Sequence, residues 1–244
     1  MNRILKTERC KLKHSFIWLA VLGIPLIPAF LGSANYAGNT GILTSQWYSL
    51  WTQVTLFYCY FFFPALIGLY CSYLFRLEHL NHNWNLLMTL PVRRSSLFLG
   101  KWLTAGGLIF ITQLFLVLLY FLAGIFLGLT APFPWREIFL WTLLGILSGM
   151  AIAAFQLLCA LIFRSFAVPV AIAFAGGLAG MGLYLQGFGL LSPFSLMALG
   201  MNANNPKGDL PYPVPVLIAA CLGFSALFCF LGILWMRIRD VKSE

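Results

Sequence analysis

Glu78, His79 and His82 come closest in this chain to a metal-binding set. On a helix the two imidazoles, three residues apart, would share one side. The pattern is not H-E-x-x-H, and no third ligand is evident nearby. A solvated loop or a contact helix is the expected state of this stretch. Cys10, Cys59, Cys71, Cys159, Cys221 and Cys229 form no C-x-x-C pair and show no metal-ligand spacing. Cys10 falls in a basic flank and the rest fall in apolar runs, so no disulfide framework is implied. There is no Ser/His/Asp set and no paired carboxylate within an apolar run. No catalytic, cofactor-binding or metal-binding residue is assigned, and an enzyme is not expected. The G-x-x-x-x-G-K-[ST] loop is absent, so any transport driven by ATP would need its hydrolysing subunit on another chain. Thr112, Gln113, Thr142, Ser148, Gln156, Gln186 and Ser225 are the polar groups of the apolar runs. They suffice to bridge helices but not to run acid–base chemistry. The run interiors hold no Asp, Glu, Lys, Arg or His, which argues against an ion-coupled secondary transporter.

What remains is chemistry of contact. Leu77, Leu80, Trp84, Leu87 and Met88 recur at helical spacing and make one apolar stripe, with His79, Asn81, His82 and Asn85 on the other faces. Pro91 ends such a helix, and Ser95 or Ser96 can cap the next. A helix that transmits force between proteins needs apolar anchors and a polar rim. Leu80, Trp84 and Leu87 supply the anchors, and Glu78, Arg93 and Arg94 supply charges. Glu78 is expected to fix the helix by pairing with a basic group nearby, and Trp84 to insert toward a partner.

The elements that position this island are hydrocarbon. Hydrophobic residues make up 61% of the 244, charged residues 9%, and mean hydropathy is +0.91. Soluble domains carry about 25% charged residues, so an integral membrane protein is expected. The net charge of +9 sits in short patches beside apolar runs, not on a nucleic-acid-binding surface. Six runs are long enough to span: 16–31, 51–75, 102–129, 138–163, 167–191 and 214–236. The first is short and carries Pro25 and Pro28. All but Arg136 and Lys207 of the 15 Lys and Arg fall on one side if every run spans, which puts both termini in the cytoplasm. The basic flank is long and no clean cleavage site follows, so a cleaved signal is not expected.

Residues 1–15 alternate Ile4, Leu5 and Leu12 with Arg3, Lys6, Arg9 and Lys13, the pattern of an amphipathic helix lying on anionic headgroups. Residues 32–50 are expected as an outer loop ending in an aromatic belt. Gly124/Gly128, Gly145/Gly149 and Gly176/Gly180 are small-xxx-small pairs that permit close helix approach. The stretch from Ser192 to Leu199 is expected as a short interfacial or re-entrant helix with Pro193 in its first turn. Trp47, Tyr48, Trp51, Phe133, Trp135, Phe188 and Phe194 make an aromatic, nearly charge-free outer set. It could hold the apolar side of an amphipathic substrate, and it is also the interfacial belt common to membrane proteins.

The motifs Trp47-x-x-Leu50-Trp51-x-Gln53, Phe57-Tyr58, Phe62-Phe63-Pro64-Ala65-Leu66-Ile67, Glu78-His79-x-x-x-x-Trp84-x-x-Leu87, Leu90-Pro91-Val92-x-Arg94 and Lys101 resemble the ABC-2 type permeases. Within these the chain is most similar to lantibiotic-immunity permeases of the MutE/EpiE/SpaE kind. The resemblance implies one all-α domain over 1–244, with six transmembrane helices, an N-terminal elbow helix and a cytoplasmic coupling helix between spans two and three. It implies two copies of a separate ABC ATPase, which hold the ATP and Mg, and no cofactor in this chain. It also implies a second permease (MutG/EpiG-like) or a second copy of the same chain. The function implied is immunity to an amphipathic peptide by its export from a bacterial plasma membrane. Export of another lipid, drug or ion, or a membrane sensor or scaffold without transport, are the alternatives.

Overall fold

The computed structural model describes residues 2–13, 15–79 and 93–238. These form α1 (Asn2–Leu12), α2 (Ile17–Gly38), α3 (Gln46–Phe57), a π-helical segment (Tyr58–Phe62) and α4 (Phe63–His79). Beyond residue 92 come α5 (Arg94–Phe126), α6 (Trp135–Ile162), α7 (Ala167–Leu185), α8 (Pro193–Gly200) and α9 (Val214–Ile238). No strand occurs among the described residues. The stretch from α3 through the π segment into α4 is continuous, so there are six helices long and apolar enough to cross a membrane. The protein is an all-α, multi-pass membrane protein, as its composition requires.

Two spans form the centre. In α6 and in the α3–α4 helix, 61% and 67% of the apolar window is buried, against 33% in α2, 28% in α9 and 22% in α7. The last three therefore present most of their apolar surface outward. Lipid tails are as apolar as leucine, so packing and hydrogen bonds, more than water exclusion, hold such helices together. The Tyr70 and Thr112 hydroxyls bond at 2.6 Å between α4 and α5. The Trp102 indole N–H donates to the Met150 carbonyl at 2.9 Å, between α5 and α6. Gln156 ties α6 to α7. In the amide orientation that satisfies both groups, it donates to the Pro169 carbonyl and accepts from the Ala173 N–H.

Several boundaries differ from the sequence expectation. The uncharged stretch 32–50 is mostly helix: α2 runs to Gly38 and α3 begins at Gln46. Gly32 allows this by letting α2 rest on the Val54 backbone, where a Cβ would come within 2.5 Å. The Asn35 amide then bonds the Gln53 side chain at 2.6 Å. Pro25 and Pro28 lie buried inside α2 without ending it, as neighbouring helices permit. Arg93, not Ser95 or Ser96, is the N-cap of α5, and its side chain makes no cap bond. Gly128 is not a packing glycine. It sits at φ +70 just past α5 with nothing within 4 Å of a Cβ. The Leu129 N–H bonds back to the Gly124 carbonyl, a left-handed helix stop. Gly187 (φ +80) ends α7 in the same way, so the fifth span is shorter than the apolar run and Gln186 is its exposed C-cap.

The glycines of α7 accept α8. A Cβ on Gly176 would meet the Phe194 ring at 2.6 Å, and one on Gly180 would meet the Phe194 and Ser195 backbone at 2.9 Å. A Cβ on Gly177 would collide with the Tyr60 carbonyl of the π segment. The glycine-rich stretch is thus a seat for packed backbone. α8 starts as the sequence predicts, with Pro193 in its first turn and the Ser192 hydroxyl accepting from the Phe194 N–H. All eight of its residues are buried against the rest of the protein.

Candidate functional site

The contact helix expected over 77–88 does not start as a separate element, because α4 runs on to His79. Leu80, Trp84, Leu87 and Pro91 lie outside the described residues, as does everything from 80 to 92. Both flanks of that stretch are described, and each is anchored by charge.

On the α4 side, Glu78 is buried at 2% exposure although it ends an apolar helix. Its Oε1 accepts from Lys11 Nζ at 2.6 Å and from Lys101 Nζ at 2.7 Å. Glu8 completes the set, accepting from Lys11 at 2.9 Å and lying 3.3 Å from Lys101. Lys101 Nζ also donates to the Leu74 carbonyl at 2.5 Å and lies 5.0 Å from the centre of the Phe75 ring. Two carboxylates and two ammoniums thus form a neutral cluster that joins α1, α4 and α5. Glu78 Oε2 is buried with no hydrogen-bond partner among the described residues.

The local folding explains the set. In α1, Ile4, Glu8, Lys11 and Leu12 share one face, because residues three and four apart align on a helix. Ile4 fills the notch over Gly100, where an added Cβ would lie 2.6 Å from its methyl, and this brings Glu8 to Lys101 one residue on. Burial acts to raise the Glu78 pKa, but Lys101 and then Lys11 outweigh it and hold the carboxyl below its ordinary 4.5. Burial likewise acts to lower Lys11, and the hydrogen bond and charge of Glu78, then of Glu8, raise it above 10.5. Glu78 and Lys11 are therefore both ionised at neutral pH, the state in which a buried pair is tolerated.

On the α5 side, Arg94 Nη1 donates to the Met236 carbonyl at 2.7 Å and to the Arg237 carbonyl at 3.3 Å. Both carbonyls lie in the last described turn of α9. Arg93 is exposed.

Glu78 does pair with basic groups. Glu8, Lys11 and Lys101 had no site role in the sequence reading. Lys11 enters it only among the cations on the cytoplasmic side, and Lys101 only among the ABC-2 motif residues. The available signal was that Glu8 is the one carboxylate of the basic flank, three residues before a lysine. Of the elbow residues, Lys6, Arg9 and Lys13 lie on the exposed side of α1, and the Arg3 side chain is outside the described set.

The aromatic set at the opposite end is not one outer surface. Trp47 and Trp51 are buried at 4% and 0% exposure, because α3 begins at Gln46 and turns this i, i+4 pair inward. Trp47 packs on Tyr120 and Phe133, and Trp51 on Tyr120 and Trp141. The Trp51 indole N–H donates to the Met201 carbonyl at 2.6 Å. Phe194 is buried against α7 and Phe155. Tyr48 and Phe133 are half-buried, while Trp135 and Phe188 are exposed. Among the described residues no group of three or more His, Cys, Asp or Glu could hold a metal.

Comparison with known proteins agrees with this architecture. No curated protein matches the chain. The family described as ABC-2 family transporter protein matches residues 4–180, which takes in most of α1, the ion cluster, the first four spans and most of the fifth. Six apolar helices and a match over most of the length lead to one conclusion: the chain belongs to the ABC-2 transporter family, as a membrane permease subunit that works with an ABC ATPase.

Proposed function

We propose that the chain is the permease of a bacterial exporter that protects the plasma membrane from lantibiotic-type peptides. Both termini and the residue 77–94 segment face the cytoplasm. Two ATPase copies, carrying ATP and Mg, drive it, and its permease partner is a related MutG/EpiG-like chain or a second copy. The observation that supports coupling at 77–94 is the anchoring of both its flanks. Glu78 is ion-paired to α1 and α5, and Arg94 is bonded to the end of α9. A push on the segment would reach three helices through short polar contacts. Leu80, Trp84 and Leu87 serve as its partner-facing anchors, with Pro91 and Arg93 shaping its exit. The motif resemblance supports the peptide cargo. Trp135 and Phe188, exposed at 69% and 54%, are the aromatics still open to an amphipathic guest.

The test is peptide tolerance of cells that express the chain with its ATPase and second permease. The controls are an ATPase disabled in hydrolysis and the Trp84→Ala permease. Tolerance that needs both hydrolysis and Trp84, with ATPase co-purification weakened in the variant, supports the reading. Unchanged tolerance with intact ATPase co-purification would overturn the cargo. Full coupling in Trp84→Ala would overturn the anchor.

A further inference from the structure

A cavity of about 1100 Å³ lies between the outer face of α1, the start of α2 and α5. It is comparable to the larger small-molecule pockets of proteins. Its two ends differ in chemistry. Lys6 and Arg9 of α1 and Lys13 just past its end line one end, at i, i+3 and i+7, so they form one stripe. None of the three has an ion pair among the described residues, and no carboxylate lines the cavity. α1 thus sorts its charges: Glu8 and Lys11 are neutralised on the buried face, and the stripe stays uncompensated on the other. The far end is apolar. Leu103, Gly107 and Ile111 follow one another along α5 at four-residue intervals, inside a membrane-spanning helix. Leu103 and Ile111 are 40% and 38% exposed, and a Cβ on Gly107 would meet nothing within 4 Å. The glycine leaves a trough about 12 Å long at 1.5 Å per residue.

We propose that this groove is a discrete binding site for one anionic phospholipid. Lys6, Arg9 and Lys13 hold the phosphate, and an acyl chain lies along Leu103, Gly107 and Ile111. Charge complementarity selects the occupant. A cationic peptide is repelled by the stripe, a zwitterionic lipid leaves the cations less satisfied, and a free phosphate leaves the trough unfilled. The site concerns the leaflet at the α1 end. It needs only the membrane location of the chain, so it stands apart from the peptide-export reading.

The test is native mass spectrometry of the full chain in mild detergent. The probes are phosphatidylglycerol, phosphatidylcholine of matched chains, and water-soluble glycerol phosphate. Phosphatidylglycerol is expected to be retained several-fold over phosphatidylcholine, and glycerol phosphate not to be retained. Removing a cation near an anionic lipid should cost about threefold to fivefold each. The triple variant Lys6→Gln/Arg9→Gln/Lys13→Gln should therefore abolish the preference. It should keep its fold, because these side chains are exposed. Gly107→Leu fills the trough and should lower retention of both lipids. Equal retention of the two lipids by the native chain, or an unchanged preference in the triple variant, would overturn the site. Full retention in Gly107→Leu would reduce it to adsorption on a charged helix.

Discussion

Lys101 is a lysine in a membrane-crossing helix at 2% exposure, and it is tolerated because two carboxylates and a carbonyl surround its ammonium. Removing one partner of a buried ion pair leaves uncompensated charge, which costs about 3–5 kcal/mol. Lys101→Met should therefore destabilise the protein by roughly that amount in a denaturation assay in detergent. Glu78→Gln added to it should restore part of the loss, since replacing both partners is far cheaper than removing one. A single variant as stable as the native chain would mean that the cluster contributes nothing net. The pH dependence has a definite sign at each end. The Glu78 pKa in the fold is below 4.5, so its contribution is complete above 4.5 and is lost as pH falls through the lower folded value. Lys11 lies above 10.5, so its contribution is complete below 10.5 and is lost as pH rises through the higher folded value. A fluorophore on Cys10, the exposed cysteine, should report α1 docked between these limits and released beyond either. Release near neutral pH would contradict the pairing. The sequence made a partner for Glu78 predictable but did not identify it. Lys101 lies 23 residues away and Glu8 is 93 residues from Lys101, and only the packing of three helices brings them together.

Helix existence was legible at the level of elements, and helix ends were not. Long apolar runs announce spans, but a run does not say where a left-handed glycine stops one or where an uncharged polar stretch continues another. Gly128 and Gly187 act through backbone conformation, and Gly32 through the approach of α3; hydropathy sees neither. α8 was foreseen from Pro193, but its burial was not, because nothing local shows that α7 offers it a glycine seat. The seat makes a discriminating prediction. Gly176→Ala presses on the Phe194 ring and Gly180→Ala on the Phe194–Ser195 backbone. Each should cost about 1–3 kcal/mol by overpacking. In a Phe194→Ala background, itself weakened by about 3–5 kcal/mol, Gly176→Ala should become nearly neutral while Gly180→Ala keeps its cost. Thermal unfolding of the three single and two double variants separates these outcomes. Equal relief of both would show that α8 is held by its ring alone.

For the whole molecule, composition and charge placement alone indicated a multi-pass membrane protein, and the family follows from motifs around residues 47–101 and the match over 4–180. Cargo was not legible. The aromatics expected as one outer set are divided between the packed interior and the exterior, and only the fold makes that division. The spans also differ in length in a way that bears on the bilayer itself. α5 has 33 residues and α7 only 19, or about 50 Å and 28 Å at 1.5 Å per residue. The hydrocarbon core is about 30 Å thick, so α5 has length to spare for tilt while α7 has none. α7 is also the span with the least buried apolar window, so most of its apolar surface faces outward. Lengthening the acyl chains of a reconstituted bilayer should therefore raise hydrogen exchange at the ends of α7 before those of α5. Simultaneous change would mean that the bilayer adapts evenly around the protein. The permease thus has a thin side, where the membrane must pinch to fit it, and lipids of different lengths will sort around its rim.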